Sequence, residues 1–336
     1  MKKLIIVLLL SLWSATLNAE ESNYNFVPEI HGTIRAKYEY EPPINKGRFE
    51  VRNARVSLEG KVIPIVRYKA EIDLSDEGAI KMLDAYIRLQ PKDQIKFTFG
   101  QMRVPFSIDA HRSPHLQYFA NRSFIAKQVG NVRDVGIAAA WNLGTDVPVT
   151  LEGGIFNGSG LTNQKHFWTS DYNFSFKSQI CLWRQFNIVL SCQKAKAVDV
   201  NTFMYDAGAY WENSRWHIEA EYLRKYYAHG KFSPVNAVDV FGAYRLPLGV
   251  NNMALSFLGR YDYMSNHSNG SKDENGHLKI DDPERHRLTG GLTLSLGKGT
   301  LQADIRLNYE QYFYNKDVKP LISEQNKIVL EFVTHF

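Results

Sequence analysis

The sequence predicts an all-β fold: a transmembrane, antiparallel, up-and-down β-barrel of about sixteen strands, with short periplasmic turns and longer extracellular loops. Three observations carry this. Apolar and polar residues alternate with period two from Ile30 to the end of the chain. The alternating stretches run roughly 9 to 13 residues, the span of a tilted strand crossing a bilayer and about twice that of soluble sheets. The connections between them alternate between tight and long.

The N-terminus comes first. Residues 1–19 combine Lys2 and Lys3, an apolar run from Leu4 to Trp13, and a close at Ala19, the layout of a secretory signal peptide. The apolar run is far below the ~18 residues of a spanning helix. Residues 20–336 are then a single barrel domain, exported by the Sec route. Hydrophobic residues make up 44% and charged residues 22%, and mean hydropathy is −0.33, which excludes a helical membrane protein beyond the signal. The 18 Tyr and 19 Phe suit strands and an interfacial girdle. Without Lys2 and Lys3 the chain carries 38 basic against 35 acidic residues, too mild a balance for a nucleic-acid partner.

Strand by strand, the first segment puts Ile30, Ile34, Ala36, Tyr38 and Tyr40 on one face and His31, Thr33, Arg35, Lys37 and Glu39 on the other. The same division recurs at 65–75, at Leu83, Ala85, Ile87 and Leu89 against Asp84, Tyr86 and Arg88, at 172–182, at 215–226 and at 285–310. Segments near 28–40, 49–61, 65–75, 81–90, 95–103, 132–141, 148–157, 172–182, 186–194, 202–212, 215–226, 236–247, 253–264, 285–296, 299–310 and 326–336 complete the count. An even number returns both ends to one side. Tight connections fall at 62–64, 91–94, 142–148, 183–185, 213–214, 247–252 and 297–299, and long ones include 104–131, 158–171, 227–235, 265–284 and 311–325. Cys181 and Cys192 fall on opposite faces of one hairpin, so two free thiols are expected.

The last strand alternates to its final residue. In hydrocarbon every backbone N–H and C=O needs a partner, so this strand must pair with the first and leave no edge. Ile328, Leu330, Phe332 and Phe336 then face lipid. A terminal aromatic such as Phe336 resembles the signature of bacterial outer-membrane barrels, which implies recognition by the barrel-insertion machinery.

Five stretches carry a family resemblance: "RNARVSLEG" (52–60), "DAYIRLQP" (84–91), "FTFGQMRVPF" (97–106), "RDVGIAA" (133–139) and "GIFNGSG" (154–160). Together they resemble the phosphate-selective porins O and P, the polyphosphate-selective porin family. Beyond residue 160 only barrel periodicity and the terminal Phe continue the likeness. The resemblance implies a homotrimeric sixteen-stranded pore in the outer membrane of a Gram-negative bacterium, in contact with membrane lipid and lipopolysaccharide. It also implies passage of small anions past arginines and lysines.

The residues themselves nominate a constriction. The 104–131 connection carries His111, Arg112, His115, Arg122 and Lys127, with Arg103 before it and Arg133 after it, and no acid lies between Asp109 and Asp134. A loop of that length can fold inward, where basic groups in a narrow bore focus a positive field. Arg112, Arg122, Lys127, Arg133 and Arg103 are therefore the anion-constriction candidates. Arg35, Lys37, Arg55, Arg67, Lys69 and Arg88, with Lys61 and Lys96, form a lumen-facing basic track. Glu39, Glu59, Glu71, Asp73 and Asp84 share its faces and dilute it, which leaves open a weakly selective general or carbohydrate porin.

An outer-membrane enzyme finds no support in motifs, because neither G-x-S-x-G nor H-E-x-x-H occurs and no catalytic residue is nominated. No cofactor is implied, and the ten His lack metal-ligand spacing. A closed, structural barrel needs bulky apolar residues pointing inward, and only Phe241 and Leu258 stand out as such.

Overall fold

A computed structural model describes residues 26–336 apart from 77, 129–131, 163, 251, 299–300 and 316. The expected signal segment, 1–19, lies outside the described residues. The strands are β1 (Glu29–Glu41), β2 (Lys46–Ile63), β3 (Val66–Asp76), β4 (Ala79–Lys92), β5 (Ile95–Arg103), β6 (Arg133–Leu143), β7 (Val149–Phe156) and β8 (Asn173–Leu182). They continue as β9 (Phe186–Ala197), β10 (Val200–Glu212), β11 (Trp216–Tyr227), β12 (Val235–Pro247), β13 (Ala254–Met264), β14 (Arg285–Lys298), β15 (Leu301–Tyr314) and β16 (Lys327–His335). A short α-helix, α1 (Phe124–Gln128), and a 3-10 turn at Pro114–Leu116 interrupt the longest connection. Among the described residues no helix is long and apolar enough to cross a membrane.

Each strand pairs antiparallel with its sequence neighbours, and β1 pairs with β16 to close the barrel. The closing register runs from Thr33 opposite His335 to Tyr40 opposite Ile328. One step further, Gly32 and Phe336 exchange backbone hydrogen bonds of 2.7 and 3.1 Å. The Phe336 ring lies over Gly32 so closely that a Cβ there would meet it at 2.2 Å, so glycine lets the aromatic lie flat on the first strand and a larger residue would push the ring aside. The expected pairing of the last strand with the first is therefore complete to the final residue.

Period two sorts the side chains as hydrocarbon outside and water inside demand. Ile34, Phe49, Ile87, Phe174, Leu288, Ile328 and Phe332 are exposed outward, whereas Arg35, Lys37, Glu221, Arg287, Arg306 and Glu331 are buried inward. Cys181 pairs in register with Asn187, and Cys192 with Phe176, on opposite faces, and both thiols are free.

Two bulges change the phase. Opposite Arg35 and Ala36, β2 gains one residue, so its exposed positions pass from Phe49 and Val51 to Val56 and Leu58. Between Glu71 and Ile72 of β3 the register on β4 skips from Asp84 to Met82. Leu83, expected on the outer face, is buried there, and Met82 takes the exposed place. The rims also differ from expectation. One rim carries only short turns, but on the other the connections 42–45, 77–78 and 198–199 are as tight as turns. The long loops are 104–132, 157–172, 228–234, 265–284 and 315–326.

A candidate permeation constriction

The 104–132 loop folds into the barrel because it carries its own apolar anchors. Phe106, Ala110, Phe124, Ile125 and Ala126 are buried against Met204, Leu223, Val235, Ala237 and Met264 of the wall near the loop rim. Further in, Phe119 packs edge-on to Phe241 at 5.5 Å, in a cluster with Ala243 and Leu258. The two apolar residues that looked out of place in a wet lumen are therefore the seat of the loop.

Polar contacts fix the rest. The Ile108 N–H donates to Glu221 at 2.6 Å, and the Lys177 ammonium donates to the Ser107 carbonyl at 2.9 Å. Arg35 donates to Gln117 at 2.5 Å and to the Ala120 carbonyl at 2.8 Å. The Ala120 N–H donates to Asn308 at 2.8 Å, and Arg260 and Arg287 donate to the carbonyls of Asn121 and Arg122 at 3.0 and 2.7 Å. Among the described residues, no hydrogen bond joins the loop to β3, β4, β6 or β7. Past Val104, which packs with Phe156 and against Tyr86 and Ala138, the loop crosses the bore without a hydrogen bond to that sector of wall among the described residues.

The candidate cations divide by partner. Arg112 is clamped by Glu219 at 2.5 Å and Asp109 at 3.1 Å, under the rings of Tyr118 and Phe241. Burial disfavours its charge, but Glu219 and then Asp109 more than offset that and raise its pKa. Lys127 pairs with Glu324 of the last loop, and Arg133 with Asp84 at 2.7 Å and Glu71 at 3.2 Å. Arg122 and Arg103 have no carboxylate within ion-pair distance among the described residues; each donates to a loop carbonyl, of Arg112 at 3.2 Å and of His111 at 2.9 Å. Burial pushes the Arg122 guanidinium down to about 10, with Asp109 opposing and Arg55, Arg52 and Arg133 reinforcing. It stays charged at neutral pH. His111 is driven well below its usual value by burial, then by Lys177 and Arg103, and His115 falls to about 4 by burial, then by the stacked His335 ring. Neither histidine adds charge at neutral pH.

The basic track is split the same way. Arg35 pairs with Glu331 at 2.6 Å, Lys37 with Glu39 at 2.7 Å, and Arg55 with Asp73 at 2.9 Å. Lys69 is held more loosely, 3.7 Å from Glu71 and 3.9 Å from Glu59. Arg88 donates to Thr98 at 3.1 Å and lies over the Tyr86 ring. Register places Arg67 between Lys61 and Arg88 on neighbouring strands, and no carboxylate is within ion-pair distance of these three or of Lys96 among the described residues.

A cavity of about 320 Å³ runs along the β3–β5 wall, lined by Lys69, Glu71, Arg88, Lys96 and Arg103. It shares Lys69, Arg103 and Ser113 with a second of about 250 Å³, which shares His115 with a third of about 260 Å³. Periodicity could not find Arg52, because the β2 bulge alone turns it inward to donate to Asn121 of the loop. It also passed over Arg260, Arg285, Arg287 and Arg306, whose alternation was read only for its apolar half. Metal-ligand spacing was absent from the sequence, but β1–β2 pairing gathers Glu29, His31 and Glu59 with donor atoms within 4.8 Å. The group is largely exposed and its members pair with one another.

The profile of phosphate-selective porin O and P matches residues 30–178. No curated protein matches the sequence. Solved structures match the fold at low identity. An anion-selective porin from Comamonas acidovorans aligns at TM-score 0.64 and 9% identity, covering 92% of this chain and 99% of that one. The trimer form of OmpT, an outer membrane protein of Vibrio cholerae, aligns at 0.62 and 12%, over 92% and 99%. The outer membrane channel DcaP of Acinetobacter baumannii aligns at 0.58 and 11%, over 95% and 100%. Residues 30–178 are thus similar to the phosphate-selective porin O and P family, and the structure is a closed sixteen-stranded antiparallel barrel of the same fold as these outer-membrane proteins.

Proposed function

We propose that the protein is a passive outer-membrane channel, not an enzyme, through which small solutes diffuse with a bias toward anions. The observation that carries this reading is the set of uncompensated cations in one sector. Arg103 precedes the inward loop and Arg122 lies within it, and Lys61, Arg67, Arg88 and Lys96 continue along the wall of β2–β5. A narrow, low-dielectric passage concentrates their field, and conduction needs attraction weak enough for release. Glu71 and Asp84 temper the charge on that wall, so the bias is general and phosphate is one substrate among small anions. The long-loop rim faces outside, toward lipopolysaccharide, and residues 1–19 direct Sec export. Phe336 marks the terminus for insertion, and three copies assemble as in the trimer form of OmpT.

Reversal potentials in planar bilayers under a salt gradient test the reading. The wild type should prefer chloride over potassium, and Arg103→Gln with Arg122→Gln should reduce that preference several-fold. Phosphate and a neutral sugar run in parallel separate anion bias from a nonselective pore. A wild-type channel without anion preference would overturn the proposal.

A further inference from the structure

The third cavity, on the turn-rim side of the loop, differs in chemistry from the basic wall. One side is a stack of rings: Tyr118 of the loop lies 4.6 Å from His217, which stacks on Tyr210 at 5.6 Å, and Leu258 completes the apolar surface. The other side is a single cross-strand row. Arg245 of β12 pairs in register with Ser256 of β13, Ser256 with Thr293 of β14, and Thr293 with Arg306 of β15. Arg306 is neutralised by Glu331 at 3.2 Å and Asp304 at 3.0 Å. Arg245 has no carboxylate within ion-pair distance among the described residues. The Thr293 hydroxyl, on a residue 7% exposed, has no hydrogen-bond partner among the described residues. A buried hydroxyl facing a cavity without a partner is costly unless something reaches it.

We propose that this slot is a subsite for a planar organic acid, an aromatic monocarboxylate, on its way through the pore. The ring lies against Tyr118, His217 and Leu258, where its flat apolar face is removed from water. The carboxylate meets the Arg245 guanidinium, a planar fork matched to it. Ser256 and Thr293 donate to the carboxylate or to a ring hydroxyl between these ends. Inorganic phosphate fits this slot poorly, because its dianion would be desolvated beside Leu258 and the rings, with Glu212 and Asp304 also lining the slot. The subsite deepens the channel proposed above and rests on it for its route, but its recognition is independent of the Arg103 and Arg122 field.

The experiment is current block in planar bilayers. Benzoate added to wild-type channels in potassium chloride should reduce the current with half-block in the millimolar range, and acetate and inorganic phosphate should need at least tenfold more. Arg245→Gln should raise the benzoate half-block about tenfold, and Arg245→Lys should recover part of it. Thr293→Val, of similar volume, should weaken block by 4-hydroxybenzoate several-fold. Equal block by benzoate and acetate, or an unchanged benzoate half-block in Arg245→Gln channels, would overturn the subsite. Chloride-over-potassium preference from the same recordings reports on the general anion reading separately, so either can fail alone.

Discussion

Arg112 and Arg122 belong to one loop and have opposite electrostatic surroundings. Arg112 is locked between Glu219 and Asp109, while Arg122 donates to a carbonyl oxygen, feels Asp109 only beyond ion-pair distance, and has Arg55, Arg52 and Arg133 nearby. Removing the charge at Arg112 leaves the fully buried Glu219 with the His217 ring, 2.9 Å away, as its remaining partner among the described residues, and breaking a buried pair from one side costs up to about 3–5 kcal/mol. Arg112→Gln should therefore lower thermal stability in detergent and make the current noisy, whereas Arg122→Gln should leave the melting temperature within a few degrees and change selectivity instead. Melting curves and single-channel traces on the two variants check the division. His115 gives a pH signature. Its pKa falls to about 4 in the folded protein, below the ~6.5 of an unfolded chain, so the unfolded state binds more protons between those values. The neutral ring's contribution is complete above about pH 6.5 and is lost as pH falls toward 4. Between pH 7 and 5 the wild type should lose more thermal stability than His115→Gln, measured by heat-dependent mobility on gels.

At the level of elements, the inward loop is held by shape before charge. Phe119 inserts against Phe241, with Arg260 over its other side at 4.4 Å, so the seat combines apolar packing and a cation–π contact. Phe119→Ala should cost about 3–5 kcal/mol and free the middle of the loop. Limited proteolysis at Arg112 and Arg122 should then become fast, with the sixteen strands still closed. The loop's length and basic content were legible in the sequence, as was its capacity to fold inward. Its seat was not: Phe241 and Leu258 lie far along the chain, on strands brought under the loop only when the barrel closes. The β2 and β4 bulges were equally hidden, because one extra residue leaves local alternation intact on both sides while shifting its phase.

For the whole molecule, the closed hydrogen-bond circuit and the apolar exterior are one requirement: a membrane tolerates a sheet only without edges. Phe332 lies on the closing strand, half exposed and outward, while Glu331 beside it is fully buried between Arg35 and Arg306. Phe332→Lys should cost about 2–4 kcal/mol if it sits near the bilayer centre, read as a reduced folded fraction in lipid vesicles. The charge inside is organised on the same scale. Cations on the side pinned to the loop are neutralised by wall carboxylates, and those along the β2–β5 wall largely are not.

The sequence by itself determined the strand number, their approximate limits, the sorting of most side chains between lipid and lumen, and the free thiols. These follow from a period of two and from loop lengths, both local properties of the chain. Only the tertiary structure decided which cations remain unpaired. That depends on carboxylates from distant strands, as Glu219 for Arg112, Glu324 for Lys127 and Asp84 for Arg133, and pairing across a closed barrel has no counterpart in sequence spacing.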